Sequence, residues 1–143
     1  VDYMHTPDAF KNVLSTINSI RNNTEKLIMV FGCGGDRDSE KRPKMTAIAC
    51  NMSDQVIITA DNPRTENIQE IISEMKEKLD PVQKKKVLVI TDRSQAIKTA
   101  CSLASNGDIV LLAGKGHEKY QEIKGVKHYF DDVEELIKSL NIK

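Results

Sequence analysis

The sequence has 143 residues, of which 39% are apolar and 29% charged, and its 21 Lys and Arg balance its 21 Asp and Glu. That length fits about one domain, and the balanced charge excludes a whole-domain field that would attract nucleic acid or an anionic membrane. No apolar run approaches the length of a membrane span, and the first ten residues lack the pattern of a signal or transit peptide. The absence of an initiator methionine leads us to expect a single domain, residues 1–143, cut from a longer protein.

Short apolar runs rich in β-branched residues alternate with longer runs of helical periodicity. Thr6 followed by Pro7 predicts a helix start, since threonine caps free N–H groups and proline is tolerated in the first turn. Continuous apolar runs predict strands that are covered on both faces. In chain order we predict helix Pro7–Ile20, strand Lys26–Phe31, helix Glu40–Asn51, strand Gln55–Thr59, helix Glu66–Leu79, strand Lys86–Ile90, helix Ser94–Ala104, strand Asp108–Ala113 and helix Asp131–Leu140.

This alternation predicts an α/β fold with a Rossmann-like open, mostly parallel sheet and helices on both faces. Thr65 and Asp92 are candidate N-caps, or near-caps, of the third and fourth helices, and Asn106-Gly107 is expected to close the fourth. Near the end of the chain, two short alternating segments surround Lys124-Gly125. They predict a hairpin that adds an antiparallel edge to the sheet.

Four polar loops follow the predicted strands, at the edge where open α/β sheets bind ligands. They are FGCGGDRDSEKRP, TADNPRTE, ITDRSQ and LAGKGHEKY. Backbone N–H groups of the first could hold an anion, but the loop lacks both the P-loop lysine and the full GxGxxG spacing, so a tight turn explains it equally well. Arg37, between Asp36 and Asp38, is either a surface ion pair or a clamp for a substrate carboxylate.

The second and fourth loops carry further polar groups. Asp61, Asn62 and Arg64 surround a proline, either as an ordinary turn or as donors and acceptors for a charged ligand. Glu118, in AGKGHE, is an acceptor suited to an ammonium group. With the arginines of the first two loops for a carboxylate, Glu118 would complete a site for a zwitterion.

Other candidate residues have weaker interpretations. His117 is a general base, an orienting group or a capped loop histidine, and we favour an orienting role for it and for Lys115 because no nucleophile is near. Asp2 and His5 are not explained by helix capping, and ribose or base contacts are a reasonable function for them.

The three cysteines are odd in number and widely spaced, which argues against a disulfide framework or a zinc site and for a reducing cytoplasm. Cys50 and Cys101 fall on apolar helix faces and are expected in the core. Cys33 lies in a glycine-rich loop, where it is either a buried residue or a reactive thiol, and no histidine is close to it in sequence.

Four blocks, DYMHTPD, FGCGGDRD…KRP, DNPR and AGKGHEKYQ, occur in an order that resembles the C-terminal domain of the ATP-dependent Mur ligases. The resemblance covers essentially the whole chain and is strongest to the diaminopimelate-adding members; Met4 and Ser39-Glu40 depart from the usual blocks. It implies that Asp2 and His5 contact the adenosine of ATP. It also implies that the incoming amino acid is held by Arg37, Asp61, Asn62, Arg64, Gly114 and Glu118.

The same resemblance implies a cytoplasmic bacterial enzyme that adds meso-diaminopimelate to UDP-MurNAc-L-Ala-D-Glu through an acyl phosphate. ATP and Mg²⁺ would be bound mainly by a central domain outside these residues, so we assign no catalytic residue and no metal ligand here, and expect this C-terminal domain alone to be inactive. Arg64 would pair with the distal carboxylate of diaminopimelate, which lysine lacks.

Three other interpretations remain open. A sister amide ligase, either lysine-adding or similar to folylpolyglutamate synthase, shares the domain architecture. A non-catalytic module that binds an amino acid would use the same fold. An α/β domain with ordinary turns would make the four blocks a coincidence.

Overall fold

The structure is a computed structural model that describes residues 4–116 and 118–142. Within this part the chain alternates helices and strands, as predicted. The elements are α1 Pro7–Ile20, β1 Leu27–Phe31, α2 Lys41–Met52, β2 Gln55–Ile58, α3 Ile68–Lys76, α4 Pro81–Lys85, β3 Val87–Val89, α5 Arg93–Leu103, β4 Ile109–Ala113, β5 Tyr120–Ile123, β6 Val126–Tyr129 and α6 Asp132–Ile142. No helix of the described residues is both long and apolar enough to cross a membrane.

The first four strands form a parallel sheet in the order β3-β2-β1-β4, which confirms the predicted open α/β architecture. At its centre, Val30 of β1 pairs with Ile57 on one side and Leu112 on the other. Because all strands point the same way, the loops after β1, β2 and β4 leave from one edge of the sheet.

Helices cover both faces of the central strand, which is apolar throughout. For the edge strand β3 the prediction of cover on both faces was wrong, since Leu88 and Val89 are exposed. Leu27, Met29 and Phe31 of β1 belong to the core beneath α1, α2 and α3, and Phe10 meets Phe31 edge to face at 5.0 Å. Ile28 and Val30 point the other way, into the core beneath α5 and α6. Cys50 and Cys101 are buried, as predicted.

The helix caps agree only in part with the sequence. Thr6 and Asp92 accept from the backbone N–H groups of Ala9 and Gln95, so both predicted caps are confirmed. The prediction of Thr65 was wrong, because its hydroxyl bonds Asp36 and the cap of α3 is Asn67.

Two further differences concern the end of one helix and the presence of another. Helix α5 ends at Leu103 with Ala104 as its C-cap, so Asn106-Gly107 lies in the following turn and does not close the helix. The five-residue helix α4 was not predicted; an Asp80–Gln83 capping box starts it.

The predicted hairpin is confirmed: β5 and β6 pair antiparallel around Lys124-Gly125, both with positive φ (51° and 79°), as in a type I′ turn. It does not extend the edge of the main sheet, however, but forms a sheet of its own. After β4, Gly114 and Gly116 have positive φ, and the chain then runs to the loop after β2. There the Arg64 N–H donates to Glu122 O (2.9 Å) and the Lys124 N–H to Arg64 O (2.6 Å).

Candidate functional site

The loops after β1 and β2 are in backbone contact. The Gly35 N–H donates to the Asn62 carbonyl at 2.7 Å, and a Cβ on Gly35 would lie 1.7 Å from the carbonyl oxygen of Pro63. No side chain can occupy that space, so only glycine allows this approach. The GCGGDRD loop is therefore shaped to meet the DNPR loop, which a turn alone would not require.

Arg64 has a positive φ of 53° without being a glycine, a strained state that persists only when surrounding contacts hold it. The backbone bonds to the hairpin supply such contacts. Its Nη1 donates to the carbonyls of Gly35 (3.0 Å) and Asn62 (3.3 Å), which orients the half-buried guanidinium. A Cβ on Gly34 would lie 2.9 Å from that Nη1 and 3.4 Å from Cγ of Arg37, so the two predicted arginines flank one glycine.

Arg37 is exposed beside a cavity of about 280 Å³ that is also lined by His5, Cys33, Lys41 and Arg42. Its neighbour Asp36 is held elsewhere, accepting from the Thr65 hydroxyl at 2.6 Å. This bond lowers the pKa of Asp36, with smaller contributions from Arg64 and Arg37.

Asp61 is buried, with 1% of its surface exposed, and neither carboxylate oxygen has a hydrogen-bond partner among the described residues. Burial raises its pKa, against the opposing charges of Arg93, His5 and Lys115. A Cβ on Gly114, whose φ is +112°, would lie 2.9 Å from Asp61 Oδ2. The fourth loop therefore packs against this carboxylate and leaves it without a donor.

Glu118 repeats this feature, because its Oε1 is buried and also has no partner within the described part of the chain. Unpartnered buried oxygens are uncommon and cost stability, so three of them on the loops after β2 and β4 indicate acceptors kept for a ligand. These oxygens suit an ammonium group. The charge of Glu118 adds to the effect of burial in raising the pKa of Asp61.

Lys115 is fully buried and bonds the Tyr120 carbonyl, with its Nζ 5.5 Å from the centre of the Tyr120 ring. Burial lowers its pKa. Asn62 Oδ1 accepts from the Glu122 N–H at 2.8 Å, and Gln121 Nε2 donates to the Asp61 carbonyl at 2.8 Å. The hairpin thus holds the DNPR loop in place, and an orienting role for Lys115 stays a prediction.

Sequence reasoning missed two buried arginines. Arg42 donates to Glu66, Glu74 and the Gly34 carbonyl, and its Nε has no partner in the described residues. Arg93 pairs with Asp132 beneath the site. The available signal was the arginine in ITDRSQ, in the loop after a predicted strand, but its partner lies 39 residues away.

Other predicted residues have varied outcomes. His5 is exposed at the cavity, whereas Asp2 and His117 lie outside the described residues. Burial raises the pKa of Cys33 to about 12, which argues against the reactive-thiol alternative. In residues 4–116 and 118–142, no three His, Cys, Asp or Glu side chains cluster so that they could hold a metal ion.

Comparison with known proteins adds to this geometry. Residues 1–116 match the family described as "Mur ligase, glutamate ligase domain". The chain is 58% identical over 143 residues to a Cytophaga hutchinsonii protein named UDP-N-acetylmuramoyl-L-alanyl-D-glutamate--2,6-diaminopimelate ligase, covering 98% of this chain and 29% of that relative.

Solved structures agree. A structure of a UDP-N-acetylmuramoyl-L-alanyl-D-glutamate--2,6-diaminopimelate ligase superimposes with a TM-score of 0.91 at 49% identity, covering 99% of this chain and 28% of the other. A Mycobacterium tuberculosis folylpolyglutamate synthase complexed with ADP and AMPPCP shares the fold, with a TM-score of 0.61 at 19% identity over 80% of this chain and 26% of that one. The chain therefore spans less than a third of each of these proteins.

Proposed function

The chain belongs to the Mur ligase glutamate ligase domain family, and from this membership we propose that it holds the incoming amino acid in a longer amide ligase. The amino acid is meso-diaminopimelate, and the acceptor substrate is UDP-MurNAc-L-Ala-D-Glu. Support comes from the relatives and from the structural match, each of which this chain covers to less than a third. In this proposal, residues 1–143 are the C-terminal domain and the enzyme is cytoplasmic.

The observation that carries the proposal is a set of three buried carboxylate oxygens without a partner in the described residues, both of Asp61 and Oε1 of the half-buried Glu118. An ammonium group has three donors and would satisfy such acceptors, which otherwise cost free energy in the fold. Arg37 and Arg64 lie on the adjoining loops and carry forks of donors suited to carboxylates. Acceptors and guanidinium groups on loops that leave one edge of the sheet match a molecule with both amino and carboxylate groups.

Arg64 is the proposed specificity residue. Only its Nη1 is used in bonds among the described residues, so the remaining guanidinium edge can receive a carboxylate. Diaminopimelate has a distal carboxylate at the end where lysine has none. A lysine in this site would leave the half-buried guanidinium without its partner, which we expect to cost lysine about 2–3 kcal/mol in binding.

The proposed reaction forms an amide in two steps. The terminal phosphoryl group of ATP passes to the γ-carboxylate of D-glutamate and gives an acyl phosphate and ADP. A neutral amine of diaminopimelate then attacks the acyl carbon, phosphate leaves, and the nitrogen loses a proton. The contribution of this domain is to hold the amine in position and to exclude water.

Nucleotide and metal contacts are limited in this chain. His5, at the cavity beside Arg37, is the described candidate for contact with ATP. Among the described residues, no three His, Cys, Asp or Glu side chains cluster. From the family membership, we propose that Mg²⁺ is bound mainly by other parts of the enzyme, and we assign no step to a metal ion here.

The sister-ligase alternative is supported by fold alone, through the similarity to folylpolyglutamate synthase at 19% identity. The DNPR loop argues against it. Backbone bonds from the hairpin and from the loop after β1 hold Arg64 in a strained conformation, as expected of a residue placed for a ligand. A non-catalytic binding module would use the same amino-acid site, and only turnover separates it from a ligase.

The test is phosphate release by the full-length protein with ATP, Mg²⁺ and UDP-MurNAc-L-Ala-D-Glu. Three reactions are compared. The first contains meso-diaminopimelate and the second L-lysine. In the third, tetrahydrofolate and L-glutamate replace UDP-MurNAc-L-Ala-D-Glu and the amino acid. Release that requires both diaminopimelate and the UDP-linked substrate supports the proposal. Release only with folate and glutamate, or in none of the reactions, would refute it in favour of a sister ligase or a binding module.

A further inference from the structure

Arg93 is completely buried at the start of α5 and forms a two-point ion pair with Asp132, the first residue of α6. Nε donates to Asp132 Oδ1 at 2.8 Å, and Nη2 donates to Oδ2 at 2.6 Å. Both side chains have 0% exposure. The pair therefore lies entirely outside the solvent, beneath the loops of the proposed site.

The remaining donors of Arg93 reach two strand ends. Nη1 donates to the carbonyl of Ala60 at 3.0 Å, and Nη2 donates to that of Ala113 at 3.3 Å. Ala60 directly precedes Asp61, and Ala113 directly precedes Gly114. These loops follow β2 and β4, which are not neighbours in the sheet because β1 lies between them. One guanidinium group thus links the two loops across the end of the central strand.

The charge of Arg93 also acts on the site. Among the groups that face Asp61, Arg93 opposes its raised pKa most, followed by His5 and Lys115, while Glu118 acts in the other direction. Asp132 compensates part of the charge of Arg93. Arg93 is therefore suited to keep Asp61 ionised, the form that accepts hydrogen bonds from an ammonium group.

From these contacts we propose that Arg93, held by Asp132, is a positioning residue that sets the spacing of Asp61 and Gly114 for the incoming amino acid. This inference rests on the proposed function. Stability alone is a poor reason for the pair, since buried ion pairs are often no more stabilising than apolar residues of similar volume. A planar fork with five donors, in contrast, can bond a carboxylate and two carbonyls together, which lysine cannot do.

The first test is Arg93→Lys in the full-length protein, with KM measured separately for diaminopimelate, ATP and UDP-MurNAc-L-Ala-D-Glu. The lysine keeps the charge but loses the fork, so the two loops are no longer held at one distance. We expect KM for diaminopimelate to rise about 10- to 100-fold, because small misplacements of binding groups are costly. The other two KM values should stay within about twofold of wild type.

The second variant, Asp132→Asn, keeps the shape of the side chain and removes its charge. Because it leaves a buried guanidinium without its counter-charge, the unfolding temperature of both variants is measured beside KM to establish that each is folded. Arg93 then acts on Asp61 without compensation, which lowers the pKa of that carboxyl. The acid limb of 1/KM for diaminopimelate against pH should shift to lower pH. Ionisations of the amino acid itself are common to all variants, and a purely structural role would leave this limb in place.

A matched control is Arg21→Lys. Arg21 also donates to a carboxylate, Asp54 Oδ2 at 2.6 Å, and that oxygen accepts from the Leu27 N–H, at the amino ends of β1 and β2. This variant should leave KM for diaminopimelate unchanged. The inference is overturned if Arg93→Lys and Asp132→Asn also leave KM for diaminopimelate unchanged. It is equally overturned if they raise all three KM values in parallel while the acid limb of 1/KM stays at its wild-type pH. Absence of diaminopimelate-dependent turnover in the wild type would instead refute the proposed function.

Discussion

Gly114→Ala separates the cost of backbone strain from the cost of displacing Asp61. The position has φ +112°, where alanine is strained, and we expect the free energy of unfolding to fall by about 1–3 kcal/mol. The new Cβ would also lie 2.9 Å from Asp61 Oδ2, about 0.5 Å closer than an ordinary contact. Because Asp61 is short and buried, its carboxylate must move by that amount, and half of a 1 Å misplacement corresponds to roughly a tenfold loss.

Gly107→Ala is the matched control, because Gly107 has φ +92° and no atom within 4 Å of a new Cβ. Both variants should lower the unfolding temperature of the domain by several degrees, about 2–4 °C per kcal/mol. Only Gly114→Ala should raise KM for diaminopimelate about tenfold, measured by phosphate release in the full-length protein. Equal KM values in the two variants would refute the placement of Asp61 in the site.

Two further predictions concern buried groups, and a third concerns Glu66, which is partly exposed. Asp61→Asn should raise the unfolding temperature at pH 7 and abolish diaminopimelate binding. Because the folded-state pKa of Asp61 is raised above 3.8, the free-energy cost of burying its charge is absent below that pH and grows as pH rises. The stability gain of the variant should therefore vanish near pH 3. In the native protein, Cys33 should resist alkylation at pH 8 and react only on unfolding, because burial raises its pKa to about 12; rapid native-state labelling would contradict its burial. Glu66→Gln should weaken diaminopimelate binding by loosening the Arg42 and Asp36 contacts that join the first two loops, and an unchanged KM would show that those contacts do not position the site.

The parallel sheet could be predicted because its signal is local. The run LIMVF is apolar at every position, and both sides of β1 are covered in the structure. The start of α1 was equally local, since Thr6 caps a backbone N–H only three residues away. Such features need no knowledge of distant contacts.

Other features could not be predicted because their causes are distant in sequence. Thr65 does not cap a helix because its hydroxyl donates to Asp36, 29 residues earlier. The hairpin leaves the main sheet because its backbone pairs with Arg64, about 60 residues before it. The burial of Arg93 depends on Asp132, which sequence patterns do not connect to it.

The candidate residues themselves were found through the four blocks, and the structure brings several of them together. Asp61 lies against Gly114, while Arg37 and Arg64 flank Gly34. What the sequence could not provide is the unpartnered state of the Asp61 and Glu118 oxygens, because hydrogen-bond satisfaction is a property of the packed loops.

The central claim, that Arg64 selects diaminopimelate, is tested most directly by kcat/KM for meso-diaminopimelate and L-lysine in the full-length protein, in wild type, Arg64→Ala and the control Arg21→Ala. We predict that Arg64→Ala lowers the diaminopimelate-to-lysine ratio about 100-fold, because diaminopimelate loses charge-assisted bonds to its distal carboxylate and lysine no longer leaves a guanidinium without a partner. The control should keep the wild-type ratio. An unchanged ratio in Arg64→Ala would contradict the claim and assign selection of the amino acid to other groups.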